Sequence, residues 1–116
     1  MKIAVAGVGY VGLVTAVTLA DVGHDVICLD VDKGKLKMLK EGISPIYEYG
    51  LEELMLKNRE RLEFTDDVTK YSEAQVIIIG VGTREKEDGS ADLRAVFSVA
   101  DSIADYCSDG TVVVVK

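Results

Sequence analysis

Residues 1–30 read MKIAVAGVGYVGLVTAVTLADVGHDVICLD, and residues 3–20 within them carry no charge. An uncharged run behind a lysine has three readings: a secretory signal, a membrane helix, or a strand, a glycine turn and a buried helix. The glycines separate them. Gly7, Gly9 and Gly12 follow the spacing G-x-G-x-x-G, which interrupts a membrane helix of about 20 residues but suits a strand-to-helix turn. Removing the run as a signal would also delete the first strand and helix of the fold that follows. Residues 2–6 therefore read as a strand and Tyr10–Val22 as a helix apolar nearly all round. Gly23 ends that helix, and residues 24–30 form a second strand that closes on Asp30.

The same alternation continues outward. Asp32 is positioned to cap an amphipathic helix with Leu36, Leu39 and Met38 turned inward and lysines outward. Gly42 closes it, and an irregular loop with the only proline, Pro45, precedes a helix over residues 51–60 with Leu51, Leu54 and Met55 as its apolar stripe. LEF (62–64) is a brief strand, TDDVTKYSEA a short capped helix, and QVIIIGVG a strand buried on both faces. REKEDGSAD reads as a charged loop, Ser90 or Asp92 as the start of a helix running to Cys107, and TVVVVK as another apolar strand. Strands alternating with helices, hydrophobic on both faces, give an α/β fold: a doubly wound, Rossmann-like parallel sheet of five to six strands covered by helices on both faces. A chain that closes on a strand, where such sheets commonly have six, reads as a domain of a longer protein.

Composition narrows the function. Twenty acidic and 13 basic residues leave a net charge of −7, with no basic footprint for nucleic acid or for an anionic membrane surface. Cys28 and Cys107 stand far apart and His24 is the only histidine, so neither a metal set nor a disulfide framework is indicated. Two thiols without a bridge suit a reducing, cytoplasmic compartment.

The glycine turn is where chemistry is announced. Backbone N–H groups at the start of the following helix, with its positive dipole end, attract phosphates even in an acidic protein. Asp30 ends the second strand 18 positions after Gly12, near the roughly 20 expected of the acid that accepts the adenosine ribose hydroxyls. Such an acid repels a 2′-phosphate, and no arginine follows it, so NAD is favoured over NADP. Lys33 and Lys35 temper this preference, since either can meet a phosphate, although Lys33 reads better as part of a solvated helix face.

GVGYVGLVTAVTLADVGHDVICLDVD, GISPIYEYGLEELM, VGTREKEDGSADL and TVVVVK, in that order, resemble the N-terminal domain of the UDP-glucose/GDP-mannose dehydrogenase family. The resemblance spans residues 1–116 as an NAD-binding domain, the central and C-terminal sugar-nucleotide domains lying outside it. It implies oxidation of a nucleotide sugar's C6 alcohol to a carboxylate with two NAD in sequence; KEDGSADL leans toward UDP-glucose. It implies a cofactor site of Gly7, Gly9, Tyr10, Val11 and Gly12 at the pyrophosphate, Asp30 with Lys35 beside it at the ribose, and Gly82 and Thr83 on the other half. The family has proline where this chain has Tyr49 and Arg84, which predicts two differently shaped loops. The segment around Pro45, Tyr47 and Glu48 resembles one near the family's cleft. The family's cysteine nucleophile and its helpers match nothing here, so no catalytic residue is assigned and these residues are expected to bind NAD without completing the oxidation. The resemblance implies a homodimer for the full-length protein, formed through elements outside residues 1–116. The unpaired edge of VVVV invites self-association of its own.

Two other classes stay open on the residues alone. Nucleotide-sensing domains of potassium-transport regulators share the strand, glycine turn, helix, strand and acid, and catalyse nothing. PIYEYGLEELM and VGTREKEDGSADL argue against them, because that fold needs no long insertion after its second helix. A purely structural domain with a vestigial glycine turn is the third. Within the family, GDP-mannose and UDP-N-acetylhexosamine dehydrogenases remain alternatives to the UDP-glucose branch.

Overall fold

The computed structural model describes residues 1–82 and 84–116, with residues 84 and 85 as backbone only. Strand β1 (Lys2–Ala6) leads through the glycine turn into helix α1 (Tyr10–Asp21) and strand β2 (Asp25–Leu29). Helices α2 (Lys33–Lys40) and α3 (Leu51–Lys57) follow, then strand β3 (Leu62–Thr65), a tight helical segment at Val68–Glu73 and strand β4 (Val76–Ile79). A small hairpin of β5 (Arg84–Glu85) and β6 (Ala91–Asp92) leads to helix α4 (Arg94–Tyr106) and strand β7 (Val112–Val115).

Five strands form one parallel sheet in the order β3-β2-β1-β4-β7. The order reverses between β1 and β4, the switch point where open α/β sheets bind ligands beyond their carboxyl ends. Register brings those ends level: Ala6 pairs with Leu29 on one side and with Ile79 on the other.

Strand alternation sorts the core into two faces. Ile3, Val5, Val26 and Cys28 pack with Leu13, Ala16, Val17 and Ala20 of α1, with Leu39, Leu51 and Met55 beside them. Ala4, Ala6, Ile27, Leu29, Ile77 and Ile79 meet Tyr71, Ala74 and Ile103 on the opposite face. Asn58 is the buried polar residue between α1 and α3; its amide donates to Asp21 Oδ1 at 3.0 Å and to the Leu54 carbonyl at 2.9 Å, so its burial is satisfied. Gly23, at φ +109°, ends α1 as expected.

Several local expectations are corrected. Met38 faces outward, because α2 is short and Leu36 and Leu39 already cover its inner face. Residues 68–73 wind as a 3₁₀ helix, capped by Asp67. The charged loop 84–92 contains the β5–β6 hairpin, with Arg84 opposite Asp92. Ser90 starts no helix: its hydroxyl donates to Asp88. Asp92 lies one residue before the cap position of α4 and accepts the Arg94 N–H at 3.0 Å. Strand β7 is exposed at all four valines, since it is an edge strand and α4 does not reach across it. Its apolar sequence signals a strand and says nothing about cover.

Candidate cofactor site

The turn after β1 is fastened from below by β2. Gly7 N–H donates to the Leu29 carbonyl at 2.7 Å, and Val8 N–H donates to Asp30 Oδ2 at 2.9 Å. The second oxygen of Asp30 accepts the Asp32 N–H at 2.9 Å, and Asp32 Oδ1 in turn accepts the Lys35 N–H at 3.1 Å as the cap of α2. Asp30 thus ties the glycine turn to the start of α2. At the start of α1, Gly9 supplies no side-chain cap and the helix's own first turn contains no acid, so α1 itself does not neutralise that helix end.

Close packing explains the glycine spacing. A Cβ on Gly12 would lie 1.8 Å from the Gly7 carbonyl oxygen, so α1 can approach the turn only without one. Gly7 has φ +100°, and a Cβ there would meet the Gly80 carbonyl and Val81 at 3.0 Å. Gly80 completes the contact, its own Cβ position being 3.1 Å from Gly12 Cα. By contrast, among the described residues nothing stands within 4 Å of a Cβ built on Gly9 or Gly82. A closed cradle with one open glycine and free helix N–H groups fits the pyrophosphate of a dinucleotide.

Beside the turn lies a cleft of about 160 Å³, lined by Gly7, Asp30, Val31, Asp66, Tyr71 and Val81 among others, with Ser98, Val99 and Ser102 of α4 opposite. Burial, with the Asp30 charge adding to it, pushes the Tyr71 phenol up to about 12. Gly7 and Asp30 therefore share this cleft, and Gly12 packs directly behind Gly7. Tyr10 and Val11 stand exposed on the first turn of α1. The Glu48 carboxylate beside the Tyr10 hydroxyl holds its pKa above the ordinary tyrosine value, which brings the 44–50 loop to this side of the molecule. Lys35 is half-buried on α2 and does not line the cleft. Tyr47 and Tyr49 project almost wholly into solvent. Thr83 lies outside the described residues.

Sequence reasoning missed Gly80, Asp66, Tyr71 and Ser98. Only Gly80 carried a signal, as the first glycine of G-V-G after an apolar strand. The others reach the cleft through topology.

Neither cysteine is placed for nucleophilic work. Cys28 is buried in mid-sheet, which pushes its thiol up to about 12. Cys107 packs against the opposite core face. Among the described residues no group of His, Cys, Asp and Glu is arranged to hold a metal, and no helix is long and apolar enough to cross a membrane.

Residues 1–116 match the UDP-glucose/GDP-mannose dehydrogenase family, NAD binding domain. The chain belongs to this family. The cofactor of the domain is NAD. The chain is 48% identical over 119 residues to UDP-glucose 6-dehydrogenase YwqF of Bacillus subtilis, spanning all of this chain and 27% of that protein. It is also 48% identical over 120 residues to the UDP-glucose 6-dehydrogenase of Rhizobium meliloti, covering 28% of it. The chain therefore spans about a quarter of the length of the curated relatives it matches. Among solved structures, a GDP-mannose dehydrogenase from Pseudomonas aeruginosa superposes with a TM-score of 0.92 at 38% identity, over 99% of this chain and 28% of that one. Membership removes the ground for a potassium-transport sensor or a vestigial structural domain.

Proposed function

We propose that the chain is the NAD-holding part of a UDP-glucose 6-dehydrogenase, its sugar-nucleotide domains belonging to the rest of the protein. In this reading Gly7, Gly9, Tyr10, Val11 and Gly12 hold the pyrophosphate and Asp30 receives the adenosine ribose hydroxyls. Lys35 adds positive charge beside Asp30, while Gly82 and Thr83 face the second half of the dinucleotide. The chemistry a bound NAD supplies is hydride acceptance, used twice between the C6 alcohol of UDP-glucose and UDP-glucuronate. UDP-glucose is preferred over GDP-mannose or a UDP-N-acetylhexosamine because the 48%-identical relatives carry that activity in their names. We further propose cytoplasmic operation and a homodimer for the whole enzyme.

The observation that carries the reading is the Asp30 carboxylate, which opens into the cleft while gripping the Val8 N–H of the glycine turn. One acid thereby organises the phosphate cradle and presents negative charge where a 2′-phosphate would sit. In this reading the chain alone binds NAD and leaves UDP-glucose unoxidised, because burial among apolar core residues pushes the Cys28 thiol up to about 12.

Calorimetric titration with NAD, NADH, NADP and ATP tests this, with Asp30→Ala as the control. NAD is expected to bind at least about tenfold more tightly than NADP, a like-charge contact costing that much or more, and the preference should vanish in the variant. A preference for ATP, or no binding, overturns the cofactor assignment. NADH formed from UDP-glucose by these residues alone overturns the inactivity.

A further inference from the structure

We propose that Asp66 reads the base of the bound dinucleotide, selecting a ring with an exocyclic amino group, adenine, over one with a carbonyl oxygen at that position. This rests on the NAD reading above and adds a residue outside the glycine turn to it.

Three observations bring Asp66 forward. Leu29 of β2 pairs with Thr65 of β3, and the Asp30 N–H donates to the Thr65 carbonyl at 3.2 Å. Asp30 and Asp66 therefore leave adjacent strand ends side by side and line the same cleft. Next, the neighbouring acids are engaged: both Asp30 oxygens accept backbone N–H groups, and Asp67 caps residues 68–73 through Thr69 N–H at 3.0 Å and Thr69 Oγ1 at 2.6 Å. Among the described residues the Asp66 carboxylate accepts no hydrogen bond and forms no ion pair, although it also borders a second groove lined by Lys33, Lys37, Lys40 and Glu41. Finally, the cleft has the shape of a slot. Val31, Val68, Val81 and Val99 give it apolar walls, and about 160 Å³ is well under the roughly 300–1,000 Å³ that encloses a whole drug-sized ligand. One flat ring system fits.

Polar groups on the two sides of the slot differ in kind. Asp66 brings carboxylate oxygens, which accept hydrogen bonds. Across the cleft on α4, the Ser102 hydroxyl donates to the Ser98 carbonyl at 3.3 Å, while among the described residues the Ser98 hydroxyl makes no hydrogen bond and can donate to a ligand. Adenine offers an amino donor next to ring-nitrogen acceptors and matches both walls. Hypoxanthine turns an oxygen toward the carboxylate and is repelled. A purine held by its apolar faces alone would show no such difference.

The test is the affinity of the 116-residue chain for NAD and for nicotinamide hypoxanthine dinucleotide, by calorimetry, in the unmodified protein, Asp66→Ala and Asp66→Asn. The unmodified chain should favour NAD by about tenfold, the scale of one hydrogen bond to a charged group. Asp66→Ala should lower NAD to the level of the hypoxanthine analogue. Asp66→Asn, whose amide can donate to a carbonyl, should strengthen the analogue and bring the ratio near one. A merely structural role for Asp66 would weaken both ligands together and leave the ratio intact. An unchanged ratio in both variants, with NAD still bound, overturns the proposal and leaves the NAD reading standing. Failure of the unmodified chain to bind either dinucleotide overturns both.

Discussion

Helices α1 and α4 cover opposite faces of one sheet and have nearly equal length, 12 and 13 residues. Helix α1 buries Gly12, Leu13, Ala16, Val17 and Ala20, and its start meets Gly7 and Gly80 backbone to backbone. On α4 the buried residue is Ile103, while Phe97 is 63% exposed. The cradle is thus built against the firmly seated helix, and the base-sized cleft lies under the lightly seated one. Rigid geometry belongs where a pyrophosphate must find preset N–H donors; a wall held by few contacts suits a slot that must admit and release a ring.

The largest effect should come from welding a methyl into the firm side. Gly12→Ala puts a Cβ 1.8 Å from the Gly7 oxygen, so the turn must shift; a loss of about 3 kcal/mol or more and no measurable NAD binding are expected from urea unfolding and calorimetry. If Gly12→Ala is as stable as the parent, α1 is less firmly seated than its packing implies. Ile103→Ala removes the anchor of α4 and should cost about 3 kcal/mol, with amides of α4 exchanging well before those of α1. Equal protection of the two helices would erase the contrast.

Asp30→Ala strips the acceptor from Val8 N–H and should cost about 2 kcal/mol besides abolishing the NAD preference; its mark is a drop in Tm without any ligand present. Each helix is also moored by an acid. Asp21, at the end of α1, is lowered by Asn58 and Lys57; Asp92, before α4, is held well below the usual carboxylate range by Arg94. Because the folded values lie below the unfolded value near 3.9, the stability they lend is full above that pH. It is lost as pH falls through the lowered folded values. Acid melts of Asp92→Asn should show a flatter acid limb than those of Asp21→Asn. Smallest of all, Phe97→Ser should move stability by less than about 0.5 kcal/mol, since that ring is already in water.

The α1 side was largely legible in the sequence because its constraints are local. Glycine spacing, an uncharged helix and a terminal acid all fall within residues 7–30, and Asp32 announces the cap of α2 within three positions. The α4 side was not. Strands β5 and β6 have two residues each, too short for any period. Asp66 and Tyr71 reach the cleft only because β3 lies beside β2, a neighbour relation that no local pattern encodes. Apolar runs mark strands without saying which one is an edge, so β7 reads like β4 until the sheet order is known.

Tyr71 has one more consequence, and it is optical. The chain contains no tryptophan and five tyrosines, of which Tyr10, Tyr47, Tyr49 and Tyr106 are exposed and Tyr71 alone is buried. In alkali the unfolded chain ionises this phenol near 10, while the folded chain holds it to about 12. Its contribution to stability is therefore lost as pH rises across that interval, and the last step of an ultraviolet titration belongs to it. The phenol that lines the cleft is thus a built-in chromophore, able to report occupancy of the slot without a label.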